Sequence, residues 1–317
     1  MDNENILQQQ LPHVLLETDF EFLPNRYQGK VRDCYADENV RFLITTDRLS
    51  CFDRVVTTVP FKGQVLNQLA VYWFNQTGNI VNNQLIEVPD PNVMLVRNCQ
   101  IVPVEVVVRA YLTGSAWRDY QAGKTVSGLK LPAGLRQNQA LPEIVVTPST
   151  KAQIGDHDQP ISETEIIAQG VVEESIWQKI RQVSLELFTF GSEMVARNGL
   201  ILVDTKYEFG LYQGELILAD ELHTLDSSRF WVTDSYQDLL EKGEPQIMLD
   251  KEPTRQWLLQ QGFKGDGDIP HFSDQHRIAI ARHYINAYER ISGEKFQPLA
   301  GPVVERIERA LRGYYSH

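Results

Sequence analysis

Apolar and polar positions follow two rhythms along this chain. Alternation by twos, the mark of a half-buried strand, runs through residues 27–35 and 40–46 on either side of the polar turn 36–39. Two Val-rich runs, 93–97 and 102–111, predict further strands and suggest a sheet edge feeding a site loop. A last pair of strands is predicted over 202–210 and 215–219. Helical spacing takes over at 62–76, where Leu66, Leu69, Trp73 and Phe74 share a face, and Gly78 stops it. It returns at Ser162-Glu163-Thr164-Glu165, a capping box, and runs to about Asn198, with a break at Gly170 and Gly199 in the C-terminal cap position. Helices are also predicted over 253–261, 274–291 and 302–312. Before Pro24 the pattern gives only a leader with a short helical piece that Pro12 interrupts. Residues 127–160, rich in Pro, Gly, Gln and Asn, predict a long loop, and loops of that length are often functional. The order is β-rich first and mixed later. It predicts an α+β chain of two lobes, 1–100 and 101–317, and nucleotide sites favour clefts between lobes.

The segment 202–210 reads Leu-Val-Asp-Thr-Lys-Tyr-Glu-Phe-Gly. In a strand, Asp204, Lys206 and Glu208 share one face, and Val203, Thr205, Tyr207 and Phe209 the other. Carboxylates are hard oxygen ligands for Mg²⁺, and an ammonium binds phosphate as a compact point charge. The row therefore suits a nucleotide phosphate site; the alternative is a half-exposed strand with a charge ladder. Gly210 to Gly214 reads as a turn before the strand 215–219. A three-residue loop, Tyr212-Gln213-Gly214, would put Gly214 at the left-handed position such loops want. Its odd length would bring Asp220 to the face of Lys206 and Glu208, so that Glu208 and Asp220 converge on one Mg²⁺. An even loop would send Asp220 to the other face.

Bulk properties narrow the classes. The 317 residues suffice for one large or two modest domains. No apolar run reaches the roughly 18 residues of a membrane helix, and the first residues lack a signal peptide's basic and apolar blocks. Three cysteines without CxxC spacing point away from a disulfide framework or zinc site and towards the cytoplasm. A net charge of −12 argues against a general nucleic-acid binder. Small anionic substrates would need local basic clusters. No Gly-x-Ser-x-Gly elbow, HExxH or Cys/His arrangement stands out, so hydrolase and metalloprotease readings lose ground.

Other blocks concentrate charge. Gly29-Lys30-Val31-Arg32-Asp33 offers a phosphate approach or an ordinary solvated turn. The block from Thr46 to Arg54, with Asp47, Arg48, Asp53 and two hydroxyls, reads as an anion site or a salt-bridged surface turn. Arg109 closes a Val-rich strand before Gly114-Ser115 and looks like an anion clamp; the alternative pairs it structurally with Glu105 or Asp119. Lys151 and Asp158 rank above His157 within the long loop. Asp226-Ser-Ser-Arg229 could hold an α-amino acid or simply tie its own loop. Asp250, Lys251 and Arg255 lie at the entry to a short helix.

In this order, the blocks from about residue 27 to 258 resemble the SAICAR synthetase family. The run 202–210 is similar to that family's hydrophobic-hydrophobic-Asp-x-Lys-hydrophobic-Glu-Phe-Gly signature, and the length is closer to the yeast-type members. The resemblance implies an ATP-dependent ligase of purine biosynthesis that joins 5-aminoimidazole-4-carboxylate ribonucleotide to L-aspartate, with Mg²⁺ as cofactor. It implies a fold related to ATP-grasp, with ATP between a β-rich and an α+β lobe. By position, Lys30, Lys151, Glu208 and Asp220 then belong to the ATP and Mg²⁺ group. Arg109, Ser115, Asp204, Lys206 and Arg229 belong to the ribonucleotide and aspartate group, with Asp53, Asp158 and Arg255 as further members and Lys206, Asp204 and Arg109 nearest the chemistry. Leu225 departs from the family's usual Pro, Cys51 from its Ala, and Glu252-Pro253-Thr254 from its larger residues. A ligase with another acid or amine, a kinase, and a nucleotide-binding module without turnover are the rival readings.

Overall fold

Alternation in the first third of the chain builds an antiparallel sheet. The computed structural model, which describes residues 3–151 and 158–314, orders its five strands as Arg26–Gln28, Arg32–Ala36, Val40–Thr45, Val93–Arg97 and Leu85–Asp90. The single strand expected over 27–35 is two strands, because the Gly29 amide donates to the Arg32 carbonyl and turns the chain at 29–31. Inward residues Tyr35, Phe42, Ile44, Val93 and Leu95 form one core with Leu15 and Phe20. The helix Val303–Arg312 closes that core with Val303, Ile307 and Leu311, spaced by four so that they share one face.

This sheet belongs to the first of two units, made of Met1–Tyr72, Gln84–Asn98 and Leu249–His317. Residues 249–317 therefore belong to the first unit, not to the 101–317 lobe expected from sequence. Chain order hid this, because its helices bury their apolar stripes against residues far away in sequence.

Within this unit the block 46–54 is an antiparallel pair, Arg48–Cys51 and Arg54–Thr58. Its Arg48 is buried rather than exposed. The guanidinium donates to Asp33 at 2.8 Å and to the carbonyls of Leu16, Gly29 and Lys30 at 2.6 to 2.9 Å. Asp33 also accepts from the amide and hydroxyl of Thr18. Asp47 accepts from the amides of Leu15 and Gly63, and burial nonetheless pushes its carboxyl up to about 6. So Asp47 and Arg48 are structural ties, and Arg48 fixes the turn that carries Lys30. A lysine has no fork to reach these acceptors. Arg48→Lys is expected to cost about 2 kcal/mol of stability in urea unfolding; an unchanged midpoint would contradict that role.

The second unit, Trp73–Asn83 and Cys99–Met248, is built on an eight-stranded sheet. At its centre the strand Val104–Tyr111 pairs with the long strand Leu200–Tyr212. Ser228–Val232 and Glu215–Ala219 pair with two halves of the long strand, and Ala140–Val146 pairs with Val104–Tyr111. The helix Glu174–Ala196 packs on the long strand with Trp177, Ile180, Leu187, Phe188 and Val195 buried. The expected capping box at Ser162 is formed, with both reciprocal hydrogen bonds, on the helix Glu163–Ala168. The expected loop 127–160 contains the strand Ala140–Val146, whose Pro142-Glu143 step and irregular register hide the alternation. Among the described residues no helix is long and apolar enough to cross a membrane.

Candidate active site

The two central strands of the second unit present charge on one face. Asp204 stands opposite Arg109 and Lys206 opposite Val107. Extending that register by two residues puts Glu105 opposite Glu208. Cross-strand partners share a face, so Glu105, Val107 and Arg109 line up with Glu208, Lys206 and Asp204. The other face of the long strand, Val203, Thr205, Tyr207 and Phe209, is buried. The alternation expected from sequence holds through this stretch.

Two clusters form on the ladder, whose ends, Asp204 and Glu208, lie about 13 Å apart along the strand for four residues. At one end Asp204 Oδ2 accepts from Arg109 Nη1 at 2.9 Å and from Arg229 Nη1 at 2.5 Å. Arg109 also donates to Thr147 Oγ1 at 2.9 Å and to Ser115 Oγ at 3.2 Å. Ser115 lies in the first turn of the helix Gly114–Gln121. Arg109 therefore pairs with Asp204, not with Glu105 or Asp119, and Arg229 reaches across strands to Asp204 rather than only tying its own loop. Burial lowers the Arg109 guanidinium from its ordinary value, against the pull of Asp204.

At the other end Lys206 Nζ donates to Glu105 Oε1 and to Glu208 Oε1, each at 2.8 Å. The other oxygen of Glu208 accepts from Lys151. Burial by itself would raise Glu208, but the ammonium groups of Lys206 and Lys151 hold it at about 2. Burial would lower Lys206, yet the charges of Glu208, Asp220 and Glu105 hold it well above its usual value. Glu105 is raised, chiefly by burial and against the pull of Lys206; Glu208 and Asp158 add to the rise. These charges favour the ammonium form of Lys206, a compact positive charge of the kind that pairs with phosphate.

The hairpin that carries Asp220 differs from expectation. Tyr212 pairs with Glu215, so the loop is the two residues Gln213-Gly214, both left-handed with φ of 53° and 83°. That is an even loop, with the primed turn geometry that suits tight hairpins. Regular alternation would then send Asp220 away from Glu208. Instead Asp220 itself is left-handed, φ 62°, just past the last strand residue Ala219. Asp220 thus lies past the end of the regular alternation, and its charge contributes to raising Lys206. The loop length expected from sequence was therefore wrong.

Beneath this face Tyr207 Oη meets His223 Nε2 at 2.6 Å. Both side chains are fully buried, and burial alone lowers His223 to about 3, so the ring is neutral.

The remaining expected residues lie elsewhere or at the rim. In the first unit Lys30 Nζ donates to Asp53 Oδ1 at 2.6 Å, and both side chains are mostly exposed. Asp53 occupies a hairpin tip with φ 60°, next to Phe52 at 52°. The Arg255 guanidinium lies 5.1 Å from the Phe52 ring centroid and 3.5 Å from Glu252. Asp158 is close enough to Glu105 to raise it. Residues 155–157, including His157, lie outside the described residues.

Glu105, Thr147 and the Tyr207–His223 pair are the functional candidates that sequence reasoning missed. For Glu105 a signal existed, since it shares strand parity with Arg109; Thr147 and His223 had none. Among the described residues no group of three His, Cys, Asp or Glu side chains is arranged to hold a metal. Glu208 and Asp220 do offer the one or two carboxylates with which Mg²⁺ is ordinarily held alongside phosphate oxygens.

Comparison with known proteins gives one consistent answer. Residues 25–270 match the family described as SAICAR synthetase. A phosphoribosylaminoimidazole-succinocarboxamide synthase from Bacteroides thetaiotaomicron is 44% identical over 310 residues, covering 95% of this chain and 99% of that one. The protein of the same description from Legionella pneumophila strain Lens is 44% identical over 307 residues, covering 94% and 97%. Among solved structures, a SAICAR-synthase from Saccharomyces cerevisiae complexed with SAICAR superposes with a TM-score of 0.80 at 33% identity, covering 90% of this chain and all of that one. A type-2 SAICAR synthetase in complex with ADP gives 0.65 at 26% identity, covering 86% of this chain and all of that one.

Proposed function

This chain belongs to the SAICAR synthetase family, and we propose that its charged ladder divides the work of an ATP-dependent ligation between its two ends. The enzyme joins 5-aminoimidazole-4-carboxylate ribonucleotide to L-aspartate and yields SAICAR, ADP and phosphate in purine biosynthesis. The observation that carries the division of labour is the ladder itself. One end holds two guanidinium groups on one aspartate, and the other holds two ammonium groups on glutamates.

A carboxylate is a poor electrophile, so an amine does not attack it directly. ATP converts it to an acyl phosphate, and the aspartate amine displaces the phosphate. Such transfer depends on positioning and charge neutralisation. Arg109 and Arg229, oriented by Asp204, present planar forks suited to the anionic groups of the ribonucleotide and aspartate, with the Ser115 hydroxyl beside them. Lys206 and Lys151 supply positive charge where the phosphoryl group moves. Lys30 and Asp53 in the first unit, together with Asp158 and Arg255, are further binding residues in this reading.

Glu208 and Asp220 are the residues that would hold Mg²⁺, which when bound supplies charge neutralisation to the nucleotide phosphates. Lys151 is the mobile partner of Glu208, because its side chain is more than a third exposed while Glu208 is buried. It can leave the carboxylate for a phosphate without unpairing Glu208, which keeps Lys206. Glu208→Gln keeps the shape and removes the charge. It is expected to raise the Mg²⁺ concentration for half-maximal turnover by about tenfold or more; ordinary turnover at low Mg²⁺ would sink the metal role.

The activity is tested by ADP release with Mg²⁺-ATP, adding the ribonucleotide and L-aspartate singly and together. Full turnover is expected only with both, with a product carrying the succinyl amide. ADP release without aspartate would indicate a kinase-like step, and no turnover at all would leave a binding module.

A further inference from the structure

The long strand has a gap along one edge. Its pairing with Ser228–Val232 ends at Thr205, and its pairing with Glu215–Ala219 begins at Glu208. Lys206 and Tyr207, between them, have a strand neighbour only on the Val104–Tyr111 side. The loop 220–227 spans this gap. Its far end is fixed where the Lys206 amide donates to the Ser227 carbonyl at 3.0 Å. The Thr224 hydroxyl holds the interior together, donating to Glu221 and accepting from the amides of Asp226 and Ser227.

The near end carries Asp220, whose charge acts on Lys206, and two left-handed residues shape it, Asp220 and His223. His223 passes under the strand to the opposite face, where its Nε2 meets Tyr207 Oη. Its ring lies against the helix Glu174–Ala196 at Gly191, where a Cβ would come within 2.2 Å of the ring. Trp73 packs against it edge to face, with centroids 4.7 Å apart. Tyr207 stands between Lys206 and Glu208 in sequence and takes no part in the chemistry assigned above.

We propose that His223 is a positioning residue: its hydrogen bond to Tyr207 pins the loop 220–227 across the gap and so fixes the Asp220 carboxylate relative to Lys206. The pin is mechanical. Two left-handed residues make the loop costly to hold in this shape, and the Tyr207–His223 bond fixes it from below. The proposal rests on the reading of Glu208 and Asp220 as the Mg²⁺ holders for its consequence, but not for the pin itself.

Tyr207→Phe removes one oxygen and disturbs no backbone. Well below the unfolding temperature, it is expected to weaken binding of Mn²⁺ with ADP about tenfold by calorimetry. It is also expected to speed hydrogen exchange of the 220–227 amides by about the same factor. His223→Asn keeps a residue that tolerates left-handed backbone but is too short to reach Tyr207, and it should reproduce both effects. A fully folded Tyr207→Phe protein with lowered thermal stability but unchanged exchange and Mn²⁺ affinity would overturn the proposal, since the bond would then only satisfy two buried groups. Asp220→Asn separates the two readings. Undiminished Mn²⁺ binding there would refute the metal role, while faster loop exchange in Tyr207→Phe would still uphold the pin.

Discussion

Replacing Lys206 with methionine is expected to abolish turnover and to destabilise the second unit. The ammonium holds Glu105 and Glu208 and feels Asp220 as well. Without it, two facing glutamates keep only Lys151 as a partner, and that side chain is partly in water. Removing one partner of a buried ion pair costs about 3–5 kcal/mol. Lys206 is 30% exposed, which places the loss near the lower end, about 3 kcal/mol. If Lys206 supplies charge to the phosphoryl group as proposed, losing it should lower kcat by about a thousandfold. The pH dependence gives a separate check. In the native protein Glu208 is held at about 2, below its ordinary value of 4.5. Its contribution to stability is therefore present above 4.5 and lost as pH falls towards 2. Glu105 is raised, so its contribution is present at low pH and lost as pH rises through its folded value. In the methionine variant both carboxyls lose the pull of the ammonium, so the gain from ionised Glu208 shrinks and the cost of ionised Glu105 grows. The variant's deficit should then shrink as pH is lowered from about 8 to about 5. Thermal unfolding at the two pH values measures this, and a deficit that does not change with pH would contradict the cluster's electrostatic role.

Strand alternation was legible from the residues themselves, because burial of one face imposes a period of two. Asp204, Lys206 and Glu208 could be placed together from five letters of sequence. Asp220 could not, because its position depends on a left-handed backbone angle at one aspartate, a choice that neither the turn residues nor the alternation encode. The same parity rule that served for the long strand failed across the hairpin for that reason. Glu105 was legible in principle, since it alternates with Arg109, although the sequence offered it only as an alternative partner of Arg109 beside Asp119. Register decided otherwise: Arg109 faces Asp204, and Glu105 falls opposite Glu208. The first unit shows a further limit. Arg48 and Asp33 are ordinary surface types in sequence, and only the carbonyls of Leu16, Gly29 and Lys30 converging on one guanidinium explain their burial. Packing of Val303, Ile307 and Leu311 against the N-terminal sheet likewise has no local signature.

Arg109→Ala is expected to raise the KM for the ribonucleotide about a hundredfold while leaving the KM for ATP nearly unchanged. The two clusters of the ladder make this split possible. Arg109 touches Asp204, Thr147 and Ser115, and nothing at the Lys206 end. A charge-assisted fork lost from a buried site costs about 2–5 kcal/mol of binding, and a hundredfold change corresponds to about 2.7 kcal/mol. Stability should suffer less than in Lys206→Met, because Asp204 keeps Arg229 as a partner at 2.5 Å. Arg109→Lys sharpens the test. Lysine restores the charge but has no planar fork, so it should recover only part of the ribonucleotide affinity. Full recovery would mean that net charge at this end suffices and that fork geometry is unimportant. An equal rise in both KM values would place Arg109 in the general architecture of the unit and remove it from the anion clamp. Steady-state kinetics with each substrate varied in turn distinguishes the three outcomes, since only a clamp confined to one end of the ladder moves one KM without the other.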